Sequence, residues 1–388
     1  MRLKDTLVKN SLKSAVFQGT DQALMLIFSL TIATQLGKEK FGELSFILFG
    51  INLLTTLSSS GNSYYFLRSK DVLQRTNVLL VKQGMVLTVM LSSVFYWYVF
   101  NNSYAFLIFV SVMTYSYNNY THFLSAKGLA PTGHLFGIIR AALTILNVII
   151  YVRFENLLIS CIVFGVSIML GAKRTILSKY QNHKVNWSLY FQSLSQNIIG
   201  ILFKHLDMIL IQLFLGYSIV GDYAIVVSFS SLASFGLMAL NSNAQKELME
   251  MREEANINSK RIEEISKMAL ISGVILSLMT TILFFLYSNY VNTEYNLNIY
   301  VLLVLLSAQL VNTITGPVAL ILNVFKGPTV VTKITLGVLL IKVLLVTLIG
   351  TSLIKVVSVI ALSSMVLNVL CYFMVKKEIK VNTLSWIK

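Results

Sequence analysis

Apolar residues in this chain do not alternate with polar ones; they run on. Long stretches rich in Leu, Ile, Val, Phe and Met recur about twelve times between short polar breaks, at roughly 12–35, 43–64, 83–101, 104–125, 134–152, 155–172, 190–214, 221–243, 268–288, 297–324, 332–352 and 356–375. A bilayer-spanning helix needs about 20 predominantly apolar residues, whereas the lipid-facing strands of a barrel show a two-residue alternation. The pattern predicts an all-α integral membrane protein with about twelve transmembrane helices. Gln18, Asp21 and Gln22 interrupt the first stretch and no small-x-small cleavage site follows it, so it reads as a retained first helix and not a signal peptide.

Two of the polar breaks are nearly the same. Leu36-Gly37-Lys38-Glu39-Lys40-Phe41-Gly42-Glu43 and Leu215-Gly216-Tyr217-Ser218-Ile219-Val220-Gly221-Asp222 share the pattern Leu-Gly, four residues, Gly, acidic, at an offset of 179 positions. A weaker echo places Lys127-Gly128 and Pro131-Thr132 between the fourth and fifth spans, and Lys326-Gly327-Pro328-Thr329 between the tenth and eleventh. The chain therefore divides into an N-terminal half, 1–180, and a C-terminal half, 181–388, joined by the basic stretch Lys173 to Lys184. Six helices per half is an even number, so both halves enter the membrane in the same sense. They are expected to form parallel pseudo-repeats around a central cavity, the construction of a transporter whose halves rock against each other.

Composition agrees with a membrane protein: 56% of residues are hydrophobic and 12% charged, with mean hydropathy +0.74, too little polar surface for a water-soluble globule. With the amino terminus inside, 24 of the 31 Lys and Arg residues fall on the cytoplasmic side, four in outer loops and three within spans. The net charge of +15 is thus mostly topology, with both termini cytoplasmic, and does not mark a nucleic-acid surface. The longest connection, Ala244 to Lys267, reads as a charged helix near the cytoplasmic surface and leaves no room for a soluble catalytic domain. Cys161 and Cys371 lie in separate spans, and His122, His134, His183 and His205 have no metal-ligand spacing. No cofactor is implied.

Five ionisable residues fall well inside spans: Asp21, Arg140, Lys204, Asp207 and Lys342. On insertion scales each costs about 2.5–3.5 kcal/mol at the bilayer centre, so water, partners or a ligand must offset them. In the seventh span Ser193, Gln196, Asn197, Gly200, Lys204 and Asp207 step by three or four and share a face; the first span carries Ser14, Gln18 and Asp21 in like manner. These matching faces suit the walls of a cavity, although Lys204 and Asp207, at i and i+3, can also neutralise one another. Arg140, Lys204 and Lys342 give the interior more cations than carboxylates, which favours an anionic substrate such as a phosphate or pyrophosphate. Tyr115, Asn118, Asn119 and His122 in the fourth span, and Gln309 and Asn312 in the tenth, offer the aromatic faces and amides that bind sugars. The same groups also serve as interhelical hydrogen bonds. Gly316-Pro317 is expected to bend the tenth span.

The run Leu206-Asp207-Met208-Ile209-Leu210-Ile211, then Phe214-Leu215-Gly216, then Val220-Gly221-Asp222-Tyr223-Ala224 resembles the Wzx-type O-antigen and polysaccharide flippases of the multidrug/oligosaccharidyl-lipid/polysaccharide (MOP) exporter superfamily. Leu36-Gly37-Lys38-Glu39-Lys40-Phe41-Gly42 is similar to that family's first outer loop. The resemblance implies a transporter, not an enzyme, in the bacterial cytoplasmic (inner) membrane. It would move an undecaprenyl-pyrophosphate-linked oligosaccharide to the periplasmic leaflet through a cationic lumen. It also implies membrane lipids and other polysaccharide-assembly proteins as partners, and coupling to H+ or Na+, for which Asp21 and Asp207 are the candidates. Asp21 lacks the neighbouring arginine of the lipid II flippases, which makes the cell-wall precursor a poorer cargo. A drug antiporter of the same fold and a membrane-embedded polymerase or glycosyltransferase are the competing readings. The first should favour a net acidic pocket and the second a larger outer loop.

Overall fold

The structure, a computed structural model, describes residues 2–43, 45–46, 65, 68, 124–125, 129–135, 138, 141–142, 145, 186–254, 257–290 and 295–384. Among these, nine helices follow in chain order: α1 (Arg2–Leu36), α2 (Trp187–Leu215), α3 (Tyr217–Leu232), α4 (Phe235–Glu253), α5 (Ser259–Tyr290), α6 (Ile299–Thr315), α7 (Val318–Phe325), α8 (Pro328–Ile349) and α9 (Leu353–Glu378). Five are long and apolar enough to cross a membrane singly, and two bent pairs, α3 with α4 and α6 with α7, bring the number to seven. The chain is a multi-pass integral membrane protein. Helices are what such a sequence must form, because backbone groups in hydrocarbon find partners only within the segment.

Sequence cues explain where the helices stop. The Asn186 side chain accepts from the Leu189 amide at 3.1 Å and caps α2. Gly37 and Gly216, 179 positions apart, end α1 and α2 with φ of +74° and +83°, a backbone region costly for residues with a Cβ. The predicted bend at Gly316-Pro317 is present, at 47° between α6 and α7. The eighth stretch, predicted as continuous over 221–243, instead breaks by 50° between α3 and α4. Ser228, Ser230, Ser231 and Ser234 all turn their hydroxyls back onto carbonyls three or four residues earlier there. Such back-bonding competes with the helical ladder and bends it. The 244–267 connection is not a separate surface helix either: α4 runs on to Glu253 and α5 starts at Ser259. Its apolar side, including Leu248, Met251, Ile262 and Ile265, is buried.

Burial is concentrated in two apolar clusters. One joins Ile211, Val220, Ile225, Phe284, Leu302, Val346 and Val356 with Ile32 and Ala33 of α1. The other joins Leu248, Ile262, Ile265, Ile321, Val324, Val331 and Val375 at the opposite helix ends. Between them lie the buried polar side chains Thr280 of α5, Thr313 near the end of α6, Lys342 of α8 and Ser363 of α9. The outer faces of α5 and α8 expose Ile271, Leu278, Ile282, Leu340, Leu344 and Leu348, stripes of four- and seven-residue spacing that suit lipid contact.

Candidate functional site

Two cavities meet at the middle of α2. The first, of about 260 Å³, lies between α1, α2 and α3 and is lined by Met25, Phe28, Lys204, His205, Asp207 and Tyr223 among others. The second, of about 320 Å³, lies between α2, α3, α6, α8 and α9, with Gln22, Phe203, Lys204, Asp207, Gln309 and Lys342 in its wall. Lys204, Asp207, Tyr223 and Val227 border both.

Asp207 does not pair with Lys204. Its Oδ1 forms an ion pair with Lys342 Nζ, which comes from α8 and is 1% exposed. Lys342 Nζ also donates to the Phe203 carbonyl at 2.7 Å and lies 4.8 Å from the centre of the Phe203 ring. Tyr223 Oη donates to Asp207 Oδ2 at 3.5 Å. Asp207 and Lys342 therefore each have a counter-charge and a further polar partner, the condition under which burial is tolerated. Lys204 is left exposed to the cavities, and among the described residues no carboxylate pairs with it.

Polar or close-packed seams flank the cavities toward both helix ends. At one end Gly42 and Gly221 cross: a Cβ on Gly42 would fall on the Tyr217 carbonyl oxygen, and one on Gly221 on the Lys38 carbonyl oxygen. Lys38 and Tyr217, like Gly42 and Gly221, are 179 positions apart, so the repeated motifs touch each other reciprocally, as equivalent surfaces do about a two-fold axis. Lys38 Nζ pairs with Asp222 Oδ2 at 2.7 Å, and Tyr295 Oη donates to the Ala33 carbonyl at 2.7 Å. At the other end Asn243 Nδ2 donates to Ser14 Oγ at 2.9 Å, Gln18 Nε2 lies 3.0 Å from His134 Nδ1, and His134 Nε2 lies 2.8 Å from Ser242 Oγ. These contacts tie α1 to α4.

No family model matches the chain, and no curated protein matches it. Solved structures do. An aspartate-to-asparagine variant of the Vibrio cholerae MATE transporter VcmN aligns with a TM-score of 0.66 at 13% identity, over 98% of each chain. An outward-facing multidrug resistance MATE transporter of the MOP superfamily gives 0.65 at 14% identity, over 97% of this chain and 96% of that one. The MATE multidrug transporter DinF-BH gives 0.61 at 13%, over 98% and 96%. The fold is that of the MATE transporters. The all-α membrane bundle in two six-helix pseudo-repeats expected from the sequence is thus the chain's fold class.

Within that MATE-like fold the sequence-predicted residues distribute unevenly. Lys204, Asp207, Lys342 and Gln309 come together at the cavities. Asn312 is half-buried on α6 and absent from both cavity linings, and Asp21 is buried in α1 four residues before Met25. Arg140, Tyr115, Asn118, Asn119 and His122 lie outside the described residues. Two expectations change. Ser14 and Gln18 belong to neither of the two cavity linings; a buried hydroxyl and a half-buried amide need partners, and α4 and His134 supply them. Likewise Ser193 and Gln196 are buried, so the α2 stripe opens to the cavities only from Lys204 onward. Sequence reasoning missed Phe203, His205 and the hydroxyl of Tyr223. Tyr223 alone had a signal, its place within the repeated motif.

Proposed function

We propose that this protein is an exporter of lipid-linked oligosaccharide of the Wzx type, flipping an undecaprenyl-pyrophosphate-linked repeat unit across the bacterial cytoplasmic membrane with both termini cytoplasmic. The observation that carries the reading is Lys204, a cation exposed in a cavity at mid-helix depth and paired with no carboxylate among the described residues. A charge there costs energy unless an anion or water compensates it, and the pyrophosphate linkage or an acidic sugar supplies the anion. The MOP-superfamily fold and the repeated Leu-Gly…Gly-acidic motifs support the same reading.

Cavities of about 260 and 320 Å³ sit at the small end of ligand sites, so a glycan repeat unit enters only when a seam parts. In this account the halves 1–180 and 181–388 separate alternately at the Gly42–Gly221 crossing and at the Ser14–Asn243 seam. The prenyl chain stays in lipid. Arg140, Lys204 and Lys342 attract the anionic group, while Tyr115, Asn118, Asn119, His122, Gln309 and Asn312 contact sugars. Asp21 and Asp207 are the candidate groups for H+ or Na+ coupling, Asp207 by exchanging Lys342 for the ion. Other polysaccharide-assembly proteins would supply the lipid-linked substrate and take the product.

A drug antiporter of the same fold is the second reading, favoured by the apolar part of the smaller cavity, Met25, Phe28 and Ile32. The two separate in a host lacking the gene. Complete repeat units trapped on the cytoplasmic leaflet and released on restoring the gene support the flippase. Normal lipid-linked sugars in both leaflets, with altered drug tolerance, contradict it.

A further inference from the structure

The chain does not leave the bundle where α9 ends. Lys380, the one non-glycine residue with positive φ among the described residues, takes φ of +61° and turns the backbone sharply just after Glu378 and Ile379. The residues that follow run back toward the interior. Ile379, Val381 and Thr383 are buried, Lys380 is exposed, and Asn382 and Leu384 are half-buried, the alternation of an extended segment with one side against protein. Ile379 and Val381 join the apolar cluster of Ile262, Ile265, Ile321 and Val324. Tyr372 Oη donates to Asn382 Oδ1 at 3.0 Å, which fastens the segment to α9.

At its far side the segment reaches the α6–α7 break. Thr383, fully buried, donates from Oγ1 to the Thr315 carbonyl at 2.9 Å. Thr315 is the last residue of α6, and the final carbonyls of a helix have no donor within it. Pro317 adds to the shortage because it has no N–H. Another side of the break packs on α5, where a Cβ on Gly316 would press on the Ser266 hydroxyl. Lys326, the residue that follows α7, pairs with Glu378 of α9 at 3.2 Å. The bent pair is thus tied to α9 near both ends of α7, an eight-residue helix of about 12 Å. Both partners of that tie are walls of the larger cavity, α6 through Leu305, Ala308 and Gln309 and α9 through Ile360, Ala361 and Ser364.

We propose that residues 380–384 form a latch on the α6–α7 break. Docked, the latch fixes the 47° bend and holds the α6 wall of the larger cavity against α9. Released, it frees the bend, and the cavity opens toward this end of the bundle. Release leaves the Thr315 carbonyl without the Thr383 hydroxyl, which costs energy at a buried acceptor, so the docked state is the resting one. A short segment buries far less than the helices it joins, and local opening draws on such units. The latch does not depend on which cargo the lumen takes.

The test uses the purified full chain in nanodiscs without substrate. Hydrogen exchange is followed by mass spectrometry at the amides of residues 316–321, and maleimide labelling is followed at Gln309→Cys in a background lacking Cys161 and Cys371. Thr383→Val keeps the side chain's shape and removes its donor. Lys380→Val keeps Thr383 and disfavours the turn, because a β-branched residue resists positive φ. Both readouts should rise about threefold or more in each valine variant. Thr383→Ser and Lys380→Gly, which keep the donor and the turn, should stay near wild type, as should Ser358→Ala, an exposed hydroxyl elsewhere on α9. Either readout at the wild-type level in both valine variants would overturn the proposal, and so would a rise in Thr383→Ser equal to that in Thr383→Val. Should Thr383→Val fail to yield monodisperse protein, Tyr372→Phe, which unpins Asn382, takes its place.

Discussion

Lys342 on α8, and not Lys204 one turn away on its own helix, holds the Asp207 carboxylate. Local sequence spacing favours the i, i+3 pair, but tertiary packing brings in the ammonium from across the bundle and adds the Phe203 carbonyl to it. Asp207 and Lys342 thereby neutralise each other inside the protein. Among the described residues, Lys204 is the cation that borders both cavities, and no carboxylate pairs with it.

That pairing gives a stability prediction. Lys342→Met takes away the cation that Asp207 pairs with, and breaking one side of a buried pair costs about 3–5 kcal/mol. Lys342→Met should unfold well below the wild type in detergent, and adding Asp207→Asn should restore most of the loss. A double variant no more stable than Lys342→Met would show that the pair is not the cause.

The glycine crossing gives a second. Gly42→Ala and Gly221→Ala each place a methyl group on a backbone oxygen of the other motif, and backbone cannot yield as a flexible side chain can. Each should hold that end apart and raise the labelling of Ser45→Cys, beside the smaller cavity, by membrane-impermeant maleimide several-fold in a background lacking Cys161 and Cys371. The two alanine variants should behave alike, because their contacts are reciprocal. Unchanged labelling in both would contradict a closed seam at this position.

At the other seam, Ser14→Ala and Asn243→Ala remove opposite sides of one 2.9 Å hydrogen bond. Interhelical hydrogen bonds in membranes contribute about 0.6 kcal/mol on average and seldom above about 1.7. A double-mutant cycle on unfolding should give a coupling in that range. Additive effects would place the two side chains apart.

Much of this was legible in the chain because the bilayer imposes a simple rule: long apolar runs must be helices, and the Leu-Gly…Gly-acidic repeat marks equivalent turns. Gly316-Pro317 announced its bend because proline acts locally. The break after Leu232 was harder to foresee, since it comes from four serines whose hydroxyls could equally have faced neighbouring helices. The cavity walls were legible only in their residue types. Periodicity put Lys204 and Asp207 on one face, but the choice of Lys342 as the partner of Asp207 depends on how α8 docks against α2. For the same reason Ser14 and Gln18 read as cavity wall: spacing shows which residues share a face, not whether that face meets water or α4.

The most direct test of the central claim is transport with Lys204 altered alone. Wild type, Lys204→Gln, Lys204→Arg and the exposed control Lys333→Ala, matched for expression and unfolding temperature, are compared for delivery of lipid-linked repeat units to the outer leaflet. A cationic lumen predicts that Lys204→Gln loses about tenfold or more of the activity while Lys204→Arg and Lys333→Ala retain it. Full activity in Lys204→Gln would contradict the account.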